Sequence, residues 1–293
     1  MNDPHAGFEQ LLAELRPKLH RYCARMTGSV IDGEDVLQEA LAKAIEAFPR
    51  AGPVVVNPEG WLFRIAHNAA LDFLRRRARR DGIHADEDLD MIADPANEID
   101  RRQAAAASLH TLMRLPVAQR SSVILMDVLG HSLEEISTVL DTTVPAVKAA
   151  LHRGRQRLRE LAAEPDDRPP PVLAEADRTR LAVYVARFNA RDFDALRELL
   201  ADEVKVEVVN HTRLNGRSQV GRYFGNYGQA NDWRLVPGLV ERRTAVLVHH
   251  PDDPGGAPLY FILLDWAGQR LLHVRDFRYA RYVIDGAEVI DFR

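Results

Sequence analysis

The stretch from Leu133 to Arg157 constrains the fold of this chain more than any other part of its sequence. Apolar residues recur there at helical spacing, pause at a polar break, and resume on a new axis: Leu133, Ile136, Val139 and Leu140, then Val144, Val147, Leu151 and Leu158. Asp141 and Thr143 can cap the second helix, and Pro145 suits its first turn. The pattern therefore predicts a helix-turn-helix.

The second helix of this pair combines an apolar back with a cationic front. Its polar side carries five basic or titratable residues: Lys148, His152, Arg153, Arg155 and Arg157. A helix with these two faces fits the major groove of DNA. The alternative is an ordinary helical hairpin whose charged face is merely solvated, because short helix pairs are common.

The overall charge limits how the chain can bind nucleic acid. The 293 residues carry a net charge of −4, so contacts to DNA must come from local basic patches. The single cysteine, Cys23, excludes an internal disulfide framework and a multi-cysteine zinc site, and it favours a cytoplasmic location. The sequence also has no signal-peptide pattern and no membrane-spanning apolar run. No metal, cofactor or membrane partner is expected.

The first 80 residues read as helices. Two helices between Phe8 and Phe48 are separated near Thr27-Gly28-Ser29, with the second opening at Asp32. A third helix, from Trp61 to Arg80, ends in five arginines out of six residues. One or two cations would offset the helix dipole, so the excess is better explained by contacts to phosphates.

Two changes in composition divide the rest of the chain. Residues 81–100 are acidic and are predicted to be a flexible linker, while residues 164–176 form a second, proline-rich linker. Between them, residues 101–163 are predicted to be helical and to include the helix-turn-helix. Residues 177–293 are predicted to be an α+β domain, in which helices precede a run of antiparallel strands. The predicted strands are Val204 to Val209, Thr244 to His249, Leu259 to Trp266, Arg270 to Phe277 and Tyr279 to Ile284.

Three segments in this order carry a resemblance to a known family. The residues that carry it are Asp32, Asp35, Val36, Gln38 and Glu39; then Trp61, Leu62, Ile65, Ala66, Asn68, Asp72, Arg75 and Arg76; then Val147, Lys148, Leu151, His152, Arg153 and Arg155. Over residues 8–163 the chain resembles an extracytoplasmic-function sigma factor of bacterial RNA polymerase. The resemblance implies that residues 1–80 are region 2 and residues 101–163 are region 4.

The resemblance also implies roles for individual residues. Core RNA polymerase would bind region 2 at its clamp and region 4 at its flap, and the polymerase-binding residues would be Asp32, Asp35, Gln38 and Glu39. Promoter DNA would be bound at the −10 element by the loop from Pro49 to Asn57 and by Arg64, His67, Asn68, Arg75 and Arg76. The −35 element would be bound by Thr143, Lys148, Arg153 and Arg155. The chain departs from the family at Ala149, Ala150 and Gly154, so base-edge hydrogen bonds are expected to be few.

The C-terminal domain resembles a SnoaL-like domain of the NTF2-like superfamily. The resemblance rests on Phe188 to Leu196 and on Leu199 to Val204. It implies a cone-shaped sheet around a pocket, for which His273, Asp276 and Tyr279 are the candidate residues. Strand alternation places His273 and Asp276 on opposite faces, which weakens a catalytic pairing. A packing or regulatory role is favoured over the sensing of an unknown small-molecule ligand and over catalysis.

These patterns lead to one interpretation and two rivals. The interpretation is a non-enzymatic sigma factor whose C-terminal domain contacts the sigma domains of the same chain and tunes their activity. The first rival is a helix-turn-helix regulator of duplex DNA with a ligand-sensing domain. The second is an isomerase- or cyclase-type enzyme with a helical accessory half. Neither rival accounts for all three sigma-like segments.

Overall fold

A computed structural model describes residues 4–48, 57–81, 98–165, 169, 171–253 and 255–292. The chain divides into two compact units, residues 1–167 and 168–293. The acidic linker predicted at residues 81–100 lies mostly outside the described residues, as does most of the loop from Pro49 to Asn57. Within the described residues, no helix is both long enough and apolar enough to cross a membrane.

Three long helices open the first unit: α1 (Pro4–Thr27), α2 (Val30–Ala47) and α3 (Pro58–Asp81). The predicted break between α1 and α2 is confirmed, since Gly28 adopts a φ of 79° and Ser29 caps α2 by accepting a hydrogen bond from the amide of Asp32. Helix α2 therefore begins at Val30, two residues before the predicted start.

The helix-turn-helix follows four shorter segments. These are α4 (Glu98–Ala106), α5 (Leu109–Met113), α6 (Val117–Val123) and a π-helical turn (Ile124–Val128). The motif itself consists of α7 (Leu133–Val139) and α8 (Val144–Ala162). Ser132 and Glu135 form a capping box on α7, Thr143 caps α8, and Pro145 lies in the first turn of α8. The predicted motif is confirmed.

Both sets of helices in this unit share one hydrophobic core. Buried residues of α2 and α3, such as Leu37 and Phe63, belong to the same cluster as Leu125 and Leu151 of the later helices. The ring of Phe63 packs edge-on against that of His131, with 4.7 Å between the ring centroids. The sequence predicted two helical domains joined by a linker, whereas the structure packs them into one unit.

The second unit is α+β, as predicted. Its helices are α9 (Glu175–Asn189), α10 (Phe193–Glu198) and α11 (Arg217–Gln229). Its strands are β1 (Leu200–Val208), β2 (Thr212–Asn215), β3 (Arg234–Val240), β4 (Arg243–His249), β5 (Tyr260–Ala267), β6 (Arg270–Asp276) and β7 (Val289–Asp291). They form one sheet in the order β2-β1-β6-β5-β4-β3-β7. Aromatic residues of α9 and α11, including Phe188 and Tyr227, pack in the core with one face of the sheet.

Three details of this unit differ from the sequence prediction. Strands β1 and β6 pair in parallel, although all strands were expected to be antiparallel. The predicted strand from Tyr279 to Ile284 is instead a 3₁₀ turn at Arg281–Ile284. Helix α11 and strand β3 were missed because three glycines dilute the helical pattern of α11, and Pro237-Gly238 interrupts the apolar run of β3.

Candidate nucleic-acid interface

Helix α2 presents the carboxylates that were predicted to bind polymerase. Asp35 is exposed, whereas Asp32, Gln38 and Glu39 are half-buried. Glu39 accepts hydrogen bonds from Lys43 and, at 2.9 Å, from Arg76 of α3. These bonds, the one from Lys43 first, lower the pKa of Glu39. Glu39 therefore links the acidic face of α2 to the arginine-rich end of α3.

Glu34 is a neighbouring carboxylate that the sequence analysis did not single out. Its side chain is fully buried, pairs with Arg16 at 2.9 Å, and accepts a hydrogen bond from Gln38 at 3.3 Å. The signal was present in the sequence, because Glu34 falls in the same helical stripe as the buried Val30 and Leu37. This residue orients Arg16 and Gln38 and presents no surface to a partner.

Helix α3 exposes most of the residues predicted to meet the −10 element. Arg64, Asn68, Arg75 and Arg76 are all exposed. The side chains of Arg75 and Arg76 retain 69% and 52% of their accessible surface, although Arg75 pairs with Asp72 and Arg76 pairs with Glu39. Arg64 is paired at 3.3 Å with Asp141, the residue at the turn of the helix-turn-helix.

His67 is a correction to the sequence-based assignment. Only 7% of this residue is exposed, and its Nδ1 atom forms a hydrogen bond of 2.7 Å with the hydroxyl of Tyr22. Burial, with a smaller contribution from the charge of Arg75, lowers the pKa of His67 to about 4. A neutral, hydrogen-bonded imidazole in this position holds α3 against α1, so its observed role is in packing.

Helix α8 exposes fewer basic side chains than its sequence suggested. Lys148 is exposed, and Arg153 is half-buried with no hydrogen-bond partner for its Nε among the described residues. Thr143 is exposed, but its hydroxyl accepts a hydrogen bond from the amide of Ala146 as the helix cap. Gln156, which was not predicted as a site residue, is exposed two turns after Lys148.

Arg155 is the second correction. Only 6% of it is exposed, and its guanidinium donates two hydrogen bonds to the buried carboxylate of Asp127. The Nε to Oδ2 distance is 2.9 Å and the Nη2 to Oδ1 distance is 2.5 Å. Position 155 was assigned to the −35 element from the resemblance to the sigma family, but it lies on the buried side of α8.

The three candidate pocket residues of the second unit do not form one site. His273 is half-buried, pairs with Asp265 at 3.4 Å, and lines an open groove of about 340 Å³ with Lys205, Val206, Glu207, Arg213 and Asn215. Asp276 is fully buried, and Tyr279 is exposed and stacks on His211. The expectation that His273 and Asp276 lie on opposite faces of β6 agrees with these positions, so the two residues form no acid–base pair.

Asp276 instead joins a buried cluster of tyrosines. Its carboxylate accepts a hydrogen bond of 2.7 Å from Tyr227, whose hydroxyl lies 3.1 Å from that of Tyr260. Burial raises the pKa of Asp276. The hydroxyls of Tyr184 and Tyr223 are also buried; that of Tyr223 helps to stabilise the Asp276 carboxylate, and that of Tyr184 has no hydrogen-bond partner among the described residues. Sequence spacing could not reveal this cluster, because its members come from separate helices and strands.

Comparisons with known proteins cover both units. Family models for sigma-70 region 2 and sigma-70 region 4 match residues 11–80 and 108–158. The extracytoplasmic-function sigma factor SigG of Mycobacterium tuberculosis is 28% identical over 292 residues, which cover 89% of this chain and 78% of SigG. The sigma factor SigM of the same organism is 33% identical over 157 residues, covering 53% of this chain and 76% of SigM.

Among solved structures, RpoE of Bartonella quintana, in complex with the anti-sigma factor NepR, is 25% identical to this chain. The match covers 55% of this chain and 99% of the RpoE chain, with a TM-score of 0.42.

Proposed function

Because this chain belongs to the extracytoplasmic-function family of RNA polymerase sigma factors, we propose that α2 contacts core polymerase and that α3 and α8 contact promoter DNA. As a sigma factor, the protein binds core RNA polymerase and directs transcription initiation at promoters. The observation that carries the residue assignment is the pairing of an acidic helix with an exposed arginine cluster, joined by Glu39 and Arg76. In this proposal the acidic face of α2 binds a protein, and the adjacent arginine-rich end of α3 binds phosphates. The proposed location is the cytoplasm.

The polymerase contact is assigned to the exposed face of α2, with Asp35 at its centre. Asp35 is the most accessible of the four predicted residues, whereas Glu39 is also tied to α3. Charge reversal at Asp35 therefore tests polymerase docking while Glu39 and Arg76 keep their own side chains.

The test is binding of the purified full-length chain to core RNA polymerase. Asp35→Arg should weaken binding at least tenfold, because it places a cation where an acidic face is proposed to dock. Glu14→Arg, on an exposed position of α1, introduces the same change of charge and should bind like wild type. Equal binding by the two variants would contradict the assignment of α2. No binding by wild type would favour the duplex-DNA regulator.

The −10 contacts are assigned to Arg64, Asn68, Arg75 and Arg76 on α3. Melting a duplex requires a protein that binds the unpaired strand better than the paired one, through polar contacts to an extruded base and cations along the backbone. Exposed guanidinium groups at the end of α3 supply the cations, and Asn68 supplies an amide able to contact a base edge. The −35 contacts are assigned to Thr143 and Lys148, which are exposed at the start of α8, and to Arg153, which is half-buried further along the helix.

The second unit is proposed to tune these activities within the same chain. It is a compact unit of its own, and the similarity to SigG extends well beyond the two sigma regions. An intramolecular contact between this unit and the sigma helices would then bias the placement of α3 and α8 on a promoter. The strength of transcription, rather than its promoter specificity, is the property expected to change.

A small-molecule ligand of the second unit is a further candidate partner. The observation that favours it is the buried hydroxyl of Tyr184, which has no hydrogen-bond partner among the described residues; burial raises the pKa of the nearby Asp276 carboxyl. A neutral molecule with a carbonyl or hydroxyl group would satisfy the Tyr184 hydroxyl, because buried polar atoms without partners are costly. Ligand-dependent thermal stabilisation that Tyr184→Phe abolishes would support this role.

A further inference from the structure

A buried ion pair joins α8, the second helix of the helix-turn-helix, to the π-helical turn Ile124–Val128. The carboxylate of Asp127 is fully buried, and the side chain of Arg155 retains only 7% of its accessible surface. Two guanidinium nitrogens donate to two different carboxylate oxygens, which is the bidentate geometry that fixes both side chains in orientation as well as distance. Arg155 is therefore held by its partner in a single arrangement.

The local fold explains why these two residues meet. Asp127 lies in the π-helical turn Ile124–Val128, one turn beyond the buried Val123 and Ile124, so its carboxylate points inward. The widened turn is marked by a hydrogen bond of 3.0 Å from the amide of Leu129 to the carbonyl of Ile124. π-helical turns are rare and recur at functional positions.

Gly154 allows α6 and α8 to approach closely beside this pair. A Cβ atom at position 154 would lie 2.8 Å from Cγ2 of Val123 and 3.3 Å from Cβ of Gln119. The glycine that departs from the family pattern is thus explained by packing. Its neighbour, Arg155, lies within reach of Asp127 because of this approach.

The pair also excludes Arg155 from reaching DNA. Removing one partner of a buried ion pair leaves an uncompensated charge, which is strongly unfavourable. If Arg155 turned outward to a phosphate, it would strand the carboxylate of Asp127 in a site without solvent. The guanidinium therefore stays with Asp127 when α8 enters a groove.

We propose that Arg155 is a positioning residue, whose ion pair with Asp127 fixes the rotation of α8 about its own axis. The rotation decides which side chains face the −35 element: Lys148, His152 and Gln156 follow one another at four-residue spacing on the face of α8 next to the buried side that holds Leu151 and Arg155. This inference rests on the proposed −35 contact of α8. In this role Arg155 does not touch DNA itself. It controls which of its neighbours do.

The experiment measures −35 selection by holoenzyme assembled from core polymerase and the full-length chain. Promoter DNA with a randomised −35 element is selected, and discrimination is the enrichment of the best sequence over a scrambled one. Arg155→Met and, independently, Asp127→Asn should each lower discrimination about tenfold at a temperature where circular dichroism shows folded protein. Asp127→Asn leaves the arginine in place, so a residue that touched DNA directly would keep its contact in this variant.

Rescue and salt dependence separate positioning from contact. The double variant Asp127→Leu, Arg155→Met replaces the ion pair with apolar side chains, which is often tolerated in a protein interior. It should recover discrimination to within about threefold of wild type, with an unchanged slope of log affinity against log salt concentration. Lys148→Met, an exposed cation on the same helix, should instead reduce the magnitude of that slope by about 1.

Three results would overturn the proposal, each for a different reason. A double variant that is folded but has a slope smaller in magnitude by about 1 would show that Arg155 binds a phosphate. Folded single variants with wild-type discrimination would show that the ion pair only stabilises the fold. A wild-type holoenzyme that selects no −35 sequence would overturn the proposed function of α8, and with it the role of Arg155.

Discussion

At the scale of single residues, burial separates side chains that look equivalent in the sequence. Helix α3 places His67 and Asn68 next to each other, yet the imidazole is buried against Tyr22 while the amide faces solvent. Helix α8 does the same with Lys148, which is exposed, and Arg155, which is paired with Asp127. Charge and spacing identify candidates for DNA binding, and the packing of each helix decides which of them remain available.

His67 makes a prediction about stability and pH. Its pKa is about 4 in the folded protein and about 6.5 when unfolded, so the unfolded state takes up the proton first as the pH falls. Protonation of His67 in the unfolded state should therefore lower the free energy of unfolding by about 2 kcal/mol between pH 7 and pH 5. The measurement is chemical unfolding of wild type and of His67→Asn, which can keep the Tyr22 hydrogen bond but does not titrate.

The free energy of unfolding of wild type should fall by about 2 kcal/mol more than that of the variant between pH 7 and pH 5. The comparison removes the contributions of other groups, including Asp276, whose raised pKa acts in the opposite direction. Identical pH dependence of the two proteins would mean that His67 is protonated as readily in the folded state as in the unfolded state.

At the scale of elements, the helix-turn-helix packs on the helix proposed to read the −10 element. Phe63 contacts His131, and Arg64 of α3 pairs with Asp141 in the turn between α7 and α8. A −10 contact by Arg64 would compete with its ion pair to Asp141. We therefore predict that α3 and α7 separate in the proposed promoter complex.

A cross-link between these elements tests the prediction. Arg64→Cys with Asp141→Cys can be joined by a bismaleimide that contains a central disulfide, because both positions are exposed. The native Cys23 should not react, since it is fully buried and burial raises the pKa of its thiol. The cross-linked protein should lose promoter-directed transcription more than tenfold, because the link prevents α3 from separating from α7.

Reduction of the linker provides the internal control for this experiment. The linked and reduced proteins carry the same two substitutions, so recovery of transcription on reduction isolates the effect of the link. Full transcription by the linked protein would mean that the contact between α3 and α7 persists on the promoter.

At the scale of the whole molecule, the chain combines two compact units with separate hydrophobic cores. The first contains every residue proposed to bind polymerase or promoter DNA, and the second contains the Asp276 cluster. Regulation within one chain would not require a DNA-binding or polymerase-binding residue in the second unit. It would require only that the second unit favour one arrangement of the helices in the first unit.

Removal of the second unit tests regulation within the chain. Deletion of residues 172–293 should change the yield of a reconstituted transcription assay at least threefold, because the truncated protein lacks any bias from the second unit. The assay is multi-round transcription with core polymerase and a promoter selected by the full-length holoenzyme. Unchanged output at every promoter tested, with equal amounts of folded protein, would contradict the proposal.

Local sequence determined the elements whose signals are carried by consecutive residues. The helix-turn-helix follows from apolar spacing, the Thr143 cap and Pro145, and the break between α1 and α2 follows from Gly28 and Ser29. Each of these features depends on backbone preferences and hydrogen bonds within a few residues. The three sigma-like segments were recognised by the resemblance of their residues to a known family, which also requires only the sequence.

Tertiary structure alone decided which side chains were available and how distant segments met. The pairing of Arg155 with Asp127 and the parallel alignment of β1 with β6 join residues far apart in the chain. Likewise, the cluster around Asp276 assembles tyrosines from α11 and β5, and Glu34 is buried although it belongs to an acidic run. Local patterns set how each element forms, but the burial of a charge depends on the solvent that other elements remove from it.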